Sequence, residues 1–143
     1  MQNKLKIEIH SFSYKKGGIP KDKTENGGGF VFDCRGILNP GRVEEYKVQN
    51  GNDLGVQEYL EANTEMPKFL QAIQSLLAIT IENYLERGFE NLQISFGCTG
   101  GQHRSVYSAI KTAKFIKENY PETEVSVYHN EQLQLNLPPV NEH

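Results

Sequence analysis

The order of elements predicts an α/β fold. It is a single three-layer-type domain with a small, mostly parallel sheet, in which a strand, a glycine loop and a helix follow one another without a break. Three observations carry this. Lys4 to Tyr14 alternates with a period of two, as a half-buried strand does. Two stretches, 67–88 and 105–120, keep apolar residues at helical spacing. Between them Leu92-Gln93-Ile94 runs into Ser95-Phe96-Gly97-Cys98-Thr99-Gly100-Gly101-Gln102-His103-Arg104-Ser105, so strand, glycine turn and helix start are contiguous.

Each element has its own local reason. In the first strand Leu5, Ile7 and Ile9 fall on one side, and Lys6, Glu8 and His10 on the other. Lys15-Lys16-Gly17-Gly18-Ile19-Pro20 makes a basic turn, and Lys21 to Gly29 a mobile polar loop ending in three glycines. Phe30-Val31-Phe32-Asp33-Cys34 reads as a second strand buried on both faces. Asn39-Pro40-Gly41-Arg42 is a turn, and Asp53 stands where it would cap a short helix through Leu60. Pro67 suits the first turn of a long helix whose apolar stripe is Leu70, Ile73, Leu77, Ile81 and Tyr84, with Gly88 to end it. The helix from Ser105 to Tyr120 has its own stripe at Val106, Ala109, Ile110, Ala113 and Ile116, and Glu124 to His129 is a last strand. The domain is placed at 1–132; the remainder, 133–143, with Pro138-Pro139, reads as an extended or frayed tail.

Composition narrows the class. At 143 residues the chain is one domain with room for a proper core. Its net charge of −3 sets up no basic field that would draw it to nucleic acid, so any RNA contact has to come from a local patch. No apolar run is long enough to span a membrane and the first residues have no signal-peptide core, while the two cysteines, Cys34 and Cys98, make no disulfide framework. Free thiols in a reducing cytoplasm are expected.

The glycine stretch carries the chemistry. A strand that turns tightly into a helix N-terminus leaves backbone N–H groups unpaired at the positive end of the helix dipole, and phosphate is their usual guest. Gly100 and Gly101 let the backbone approach a ligand, and Cys98, Thr99, Gln102, His103 and Ser105 surround it. Arg104 can grip phosphate with a two-pronged fork. In a parallel sheet ligands collect beyond the carboxyl ends of the strands. That edge is expected to gather Lys15, Asp33, Arg35 and His129 around the loop, with His103, Asp33, Arg35 and Lys15 reading the rest of the ligand.

Several segments in order resemble the C-terminal domain of the RapZ family of bacterial RNase adapter proteins. They are His10-Ser11-Phe12-Ser13-Tyr14-Lys15-Lys16-Gly17-Gly18-Ile19-Pro20, Val31-Phe32-Asp33-Cys34-Arg35, Leu38-Asn39-Pro40 and the run from Gly97 to Tyr107. The similarity spans roughly residues 7 to 130. It implies a domain that binds a phosphosugar, glucosamine-6-phosphate in the studied case, together with a small regulatory RNA, and it implies a homo-oligomer. The chain departs from the family in three places. It has no G-x-x-x-x-G-K-[ST] loop, so nucleotide hydrolysis does not carry over; its loop from Lys21 to Gly29 is longer; and Tyr128-His129-Asn130 stands where the family has Arg-His-Arg.

Binding of a phosphorylated small molecule is therefore the expected function, with no cofactor and no metal. The alternative is catalysis. Cys98 to Ser105 also fits C-x-x-G-x-x-R-S, in which the helix N-terminus and Arg104 would favour the Cys98 thiolate, Cys98 would attack phosphorus, and Asp33 would serve as general acid. No dedicated acid loop is visible, and the flanking residues match the RapZ domain more extensively. A zinc site from Cys34, Cys98, His103 and His129 lacks any close ligand pair. An RNA surface would have to come from Lys111 and Lys114, with Lys117 behind them and Tyr107 as a stacking face. The plainer reading of those lysines is a solvated helix end.

Overall fold

The computed structural model describes residues 4–25 and 28–136. Four strands, β1 (Lys6–Ser13), β2 (Gly29–Asp33), β3 (Asn91–Cys98) and β4 (Glu124–His129), form one sheet in the order β2-β3-β1-β4, and every neighbouring pair is parallel. Three helices, α1 (Leu54–Asn63), α2 (Met66–Arg87) and α3 (Arg104–Asn119), supply the second layer. Helix α3 lies against β1, β3 and β4, α2 against α3, and α1 against α2.

The strand order explains why the helices share a face. Going from β2 to β3 and from β3 to β4, the chain steps across the sheet in the same direction, so two right-handed crossovers place α1, α2 and α3 on one side. Register puts Ile7, Leu92 and Val125 in one row and Ile9, Ile94 and Val127 in the next, all toward the helices. Against them sit Leu70, Ile73, Leu77 and Ile81 of α2 and Ala109, Ala113 and Ile116 of α3. Each such large side chain taken fully from water contributes about 1.5–3 kcal/mol.

The step from β1 to β2 runs the other way, and the segment that makes it crosses the opposite face. There Gln93 donates through its amide to the Pro20 carbonyl (3.3 Å), and Asp22 and Lys23 lie beside Glu8 and Gln93. Asp22 organises this segment by accepting from the Thr24 amide and hydroxyl and from the Gly28 amide. The third layer is thus a loop, not helices. Residues 26 and 27 of it lie outside the described residues.

Some expectations need correcting. Strand β2 is not buried on both faces: among the described residues it pairs only with β3 and so forms an edge, with Val31 exposed and Phe30 and Phe32 half-buried. Asp53 precedes α1, but its carboxylate accepts from the Asn50 amide (2.7 Å) and caps no helix amide. The stretch Leu133–Asn136, placed in the extended tail, is a 3-10 turn whose Asn136 side chain pairs with both backbone groups of His129. The rest of that tail, 137–143, lies outside the described residues. Gly88 ends α2 as expected, in the left-handed conformation at φ 74°. No helix among the described residues is long and apolar enough to cross a membrane.

Candidate functional site

All strands being parallel, their carboxyl ends share one edge. Ser13 ties two of the loops there together: its hydroxyl donates to the Thr99 carbonyl (2.5 Å) and accepts from the amides of Lys15 and Lys16. The β3–α3 loop lies beside it. Gly101 makes the turn at φ 68°, where a Cβ would also meet the Glu131 side chain and the Phe12 backbone, so only glycine fits. Among the described residues, no amide from Thr99 to Val106 donates to a protein acceptor. Helix α3 has no side-chain cap either. This is a run of unpaired donors at a helix N-terminus, the arrangement that attracts an oxyanion.

Arg104 opens α3 and is only 5% exposed. One terminal nitrogen, Nη1, donates to the carbonyls of Arg35 (3.1 Å) and Ile37 (2.7 Å), while Nε is buried without a partner. None of the ion pairs among the described residues includes it. A guanidinium is a permanent charge, and here it stands at the end of a helix that repels cations. It lines a cleft of about 260 Å³ shared with Cys98, Thr99, Gly100, His103 and Lys47. A second cleft of about 670 Å³, carrying Arg35, Arg42 and Thr64, adjoins it through Asn39 and Arg104.

The remaining expected residues divide. Gln102 does not face the cleft freely: its amide donates to the carbonyls of Lys47 (2.8 Å) and Gln49 (2.7 Å), strapping the segment 44–50 to the loop. His103 donates through Nε2 to the Tyr46 carbonyl (2.8 Å), and burial, the main cause, holds its pKa below the ordinary value. Gly51 must be glycine because the backbone of His103 and Tyr107 passes against it. Ser105 is fully buried and accepts from the Cys98 thiol (3.2 Å).

Others lie outside the loop's own cleft, Arg35 lining the adjoining one. Asp33 and Arg35 pair with each other by two side-chain bonds (2.9 and 2.8 Å), and Arg35 lies over the Tyr14 ring. That partner holds the Asp33 carboxyl below the usual carboxylate range. Lys15 is exposed beside the loop. His129 does not line the cleft: it is buried in the sheet with Nδ1 2.7 Å from the Ser11 hydroxyl, and burial pushes its pKa down to about 4. Lys111 and Lys114 sit two turns or more beyond the loop, where Lys111 meets Glu61 (3.6 Å). Tyr107 offers no stacking face, being buried with its hydroxyl donating to Glu61 (2.6 Å). Asn39, Gly41 and Lys47 line the cleft unanticipated. The only sequence signal for them was the Asn39-Pro40-Gly41 turn, which gave no hint of where its loop would fold.

The fold and this loop define a class: a parallel α/β domain with a buried arginine behind a nest of free amides. Residues 5–133 match the RapZ C-terminal domain family, to which this chain belongs. It is 37% identical over 115 residues to a nucleotide-binding protein of Cereibacter sphaeroides, covering 80% of this chain and 36% of that protein. A nucleotide-binding protein of Endomicrobium trichonymphae is 39% identical over 113 residues (79% and 37%), and one of Fusobacterium nucleatum 39% over 124 (87% and 41%). The chain thus spans roughly two-fifths of these relatives' length.

Two outcomes are expected here. Gln102→Ala should free the strap, raising hydrogen exchange at the Gly51 amide and costing about 1–2 kcal/mol in chemical denaturation. Retained protection at Gly51 would count against the strap. For His129, the lowered native pKa means the unfolded chain takes up a proton first as pH falls. Its contribution is full above about pH 6.5 and lost as pH falls to about 4, worth roughly 3 kcal/mol at most. Urea unfolding should show this decline, and His129→Asn should flatten it; an unchanged slope in the variant would assign the decline elsewhere.

Proposed function

We propose that this domain binds a phosphorylated small metabolite, of which an amino-sugar phosphate such as glucosamine-6-phosphate is the first candidate, as the sensing part of a regulatory protein. One observation carries the reading: among the described residues, Arg104 is buried without a carboxylate partner, with Nε unsatisfied, behind a loop whose amides from Thr99 to Val106 donate to no protein acceptor. An oxyanion answers both deficits at once. The free amides and Arg104 would hold the phosphate; Lys47, Asn39 and the adjoining cleft would meet the rest of the molecule. Family membership supports the same ligand class. Output through a small RNA, a partner protein or a homo-oligomer belongs to this proposal too. Lys111 lends the RNA contact little, since Glu61 already engages it.

The relatives' description as nucleotide-binding concerns proteins much longer than this chain. A nucleotide phosphate would suit the same donors, so adenosine monophosphate belongs in the test. Hydrolysis is the weaker reading. A general acid has to hold its proton at working pH, whereas Arg35 keeps Asp33 ionised and exposed on the far side of an ion pair.

Calorimetric titration with glucosamine-6-phosphate, inorganic phosphate and adenosine monophosphate should give saturable binding strongest for the sugar. Arg104→Ala should weaken it about a hundredfold, as expected for losing charge-assisted hydrogen bonds worth roughly 3 kcal/mol. Cys98→Ser should bind nearly as well as the parent, and p-nitrophenyl phosphate should not turn over. Turnover abolished by Cys98→Ser would move the domain to the phosphatase class. Silence toward all three ligands would remove the phosphate reading.

A further inference from the structure

Cys34 and Cys98 are both fully buried, and neither forms a disulfide. Strand register brings them together. β2 pairs with β3 through Phe30–Ile94, Phe32–Phe96 and Asp33–Gly97, and the Cys34 amide continues the ladder onto the Gly97 carbonyl (2.7 Å). The next rung sets Cys34 opposite Cys98. Side chains alternate, so both sulfurs point to the helix side, in the row that the stacked Phe32 and Phe96 begin. Neighbouring strands stand about 4.8 Å apart, inside the roughly 4.4–6.8 Å of Cα separation that a disulfide spans.

Helix α3 gives each thiol a hydrogen-bond partner. Cys98 donates to Ser105 (3.2 Å) and Cys34 to Ser108 (3.6 Å), serines three residues apart on the face of α3 that covers the strand ends. Only Cys98 lines the cleft of the glycine loop. A small oxidant entering there meets Cys98 first, with Cys34 behind it.

We propose that Cys34 and Cys98 form a reversible disulfide beneath the glycine loop, so that a peroxide entering the cleft closes the anion site. The Cys98 sulfur attacks one oxygen of hydrogen peroxide, the O–O bond breaks, and the second oxygen leaves as water after taking the thiol proton. Cys98 is then a sulfenic acid. The Cys34 sulfur attacks it; the S–S bond forms, the S–O bond breaks, and the hydroxyl leaves as water with the Cys34 proton. Two thiols are oxidised and one peroxide is reduced to two waters. Burial, the main cause, pushes the Cys34 thiol up to about 12, which disfavours it for the first attack on peroxide. The bond draws Cys98 off Ser105 and pulls the first residue of the loop toward β2. Closure of the site rests on the phosphate reading; disulfide formation does not.

The test treats the whole chain with hydrogen peroxide, then denatures it in an alkylating agent and weighs it. Parent protein should lose two hydrogens, take up no alkyl group, and recover both thiols with dithiothreitol. Cys34→Ser and Cys34→Val, two variants in case one fails to fold, should form no disulfide and accumulate a dimedone-reactive Cys98. Oxidised parent should bind inorganic phosphate about tenfold more weakly than reduced parent, the loss of roughly one charge-assisted hydrogen bond. Two alkylated cysteines after oxidation, or oxygen added at Cys98 with Cys34 still free, would overturn the disulfide. Unchanged phosphate affinity in the oxidised form would overturn the closure. Reduced protein that ignores phosphate would remove the anion reading and closure together, and the mass alone would still decide the disulfide.

Discussion

A positive charge that the fold buries with no ion-pair partner among the described residues organises this domain. Removing one partner from a buried ion pair typically costs 3–5 kcal/mol, because the remaining charge has lost both water and its counter-ion. Arg104 is folded into that situation from the start. Two backbone carbonyls hold its Nη1, and these are the carbonyls of Arg35 and Ile37, on the loop that leaves β2. The arginine therefore joins the start of α3 to the chain after β2, and the Asn39 turn comes with it to wall the cleft.

Topology makes the placement possible. An all-parallel sheet sends each strand end to the same edge, and the glycine loop leaves from β3, flanked in the sheet by β2 and β1. Loops from both neighbours therefore reach it: Ser13 from β1, and the turn carrying Cys34 and Arg35 from β2. The segment 44–51 is then strapped down by Gln102 and His103 from the loop itself. The loop thus spends its long polar side chains on building its walls, leaving its backbone amides without an acceptor among the described residues. Side chains secure the site, and the main chain supplies most of the donors.

How much of this was legible in the sequence depended on the range of the signal. Helix α2 was legible because Leu70, Ile73, Leu77 and Ile81 recur at helical spacing between Pro67 and Gly88, a wholly local pattern. The glycine loop was equally legible. The burial of β2 was misjudged because Phe30-Val31-Phe32 looks the same at an edge as at a centre, and only strand order distinguishes them. Gln102 and His103 look like ligand groups in one dimension; their carbonyl partners, more than fifty residues earlier, appear only when the chain folds. His129 was placed at the site by topology alone. Its strand does end at the right edge, but the period-two alternation that points Val125 and Val127 at the helices points His129 inward as well, onto Ser11.

We propose that an oxyanion compensates the buried Arg104. The most direct measurement is the unfolding free energy in urea as inorganic phosphate replaces chloride at constant ionic strength, for the parent and Arg104→Met. Ligand binding to the native state should stabilise the parent by about 2.7 kcal/mol at a hundredfold excess over Kd. The variant should show only the small general effect of phosphate as an excluded salt. Equal phosphate dependence in the two proteins would contradict the account and leave Arg104 as a structural clasp for the carbonyls of Arg35 and Ile37.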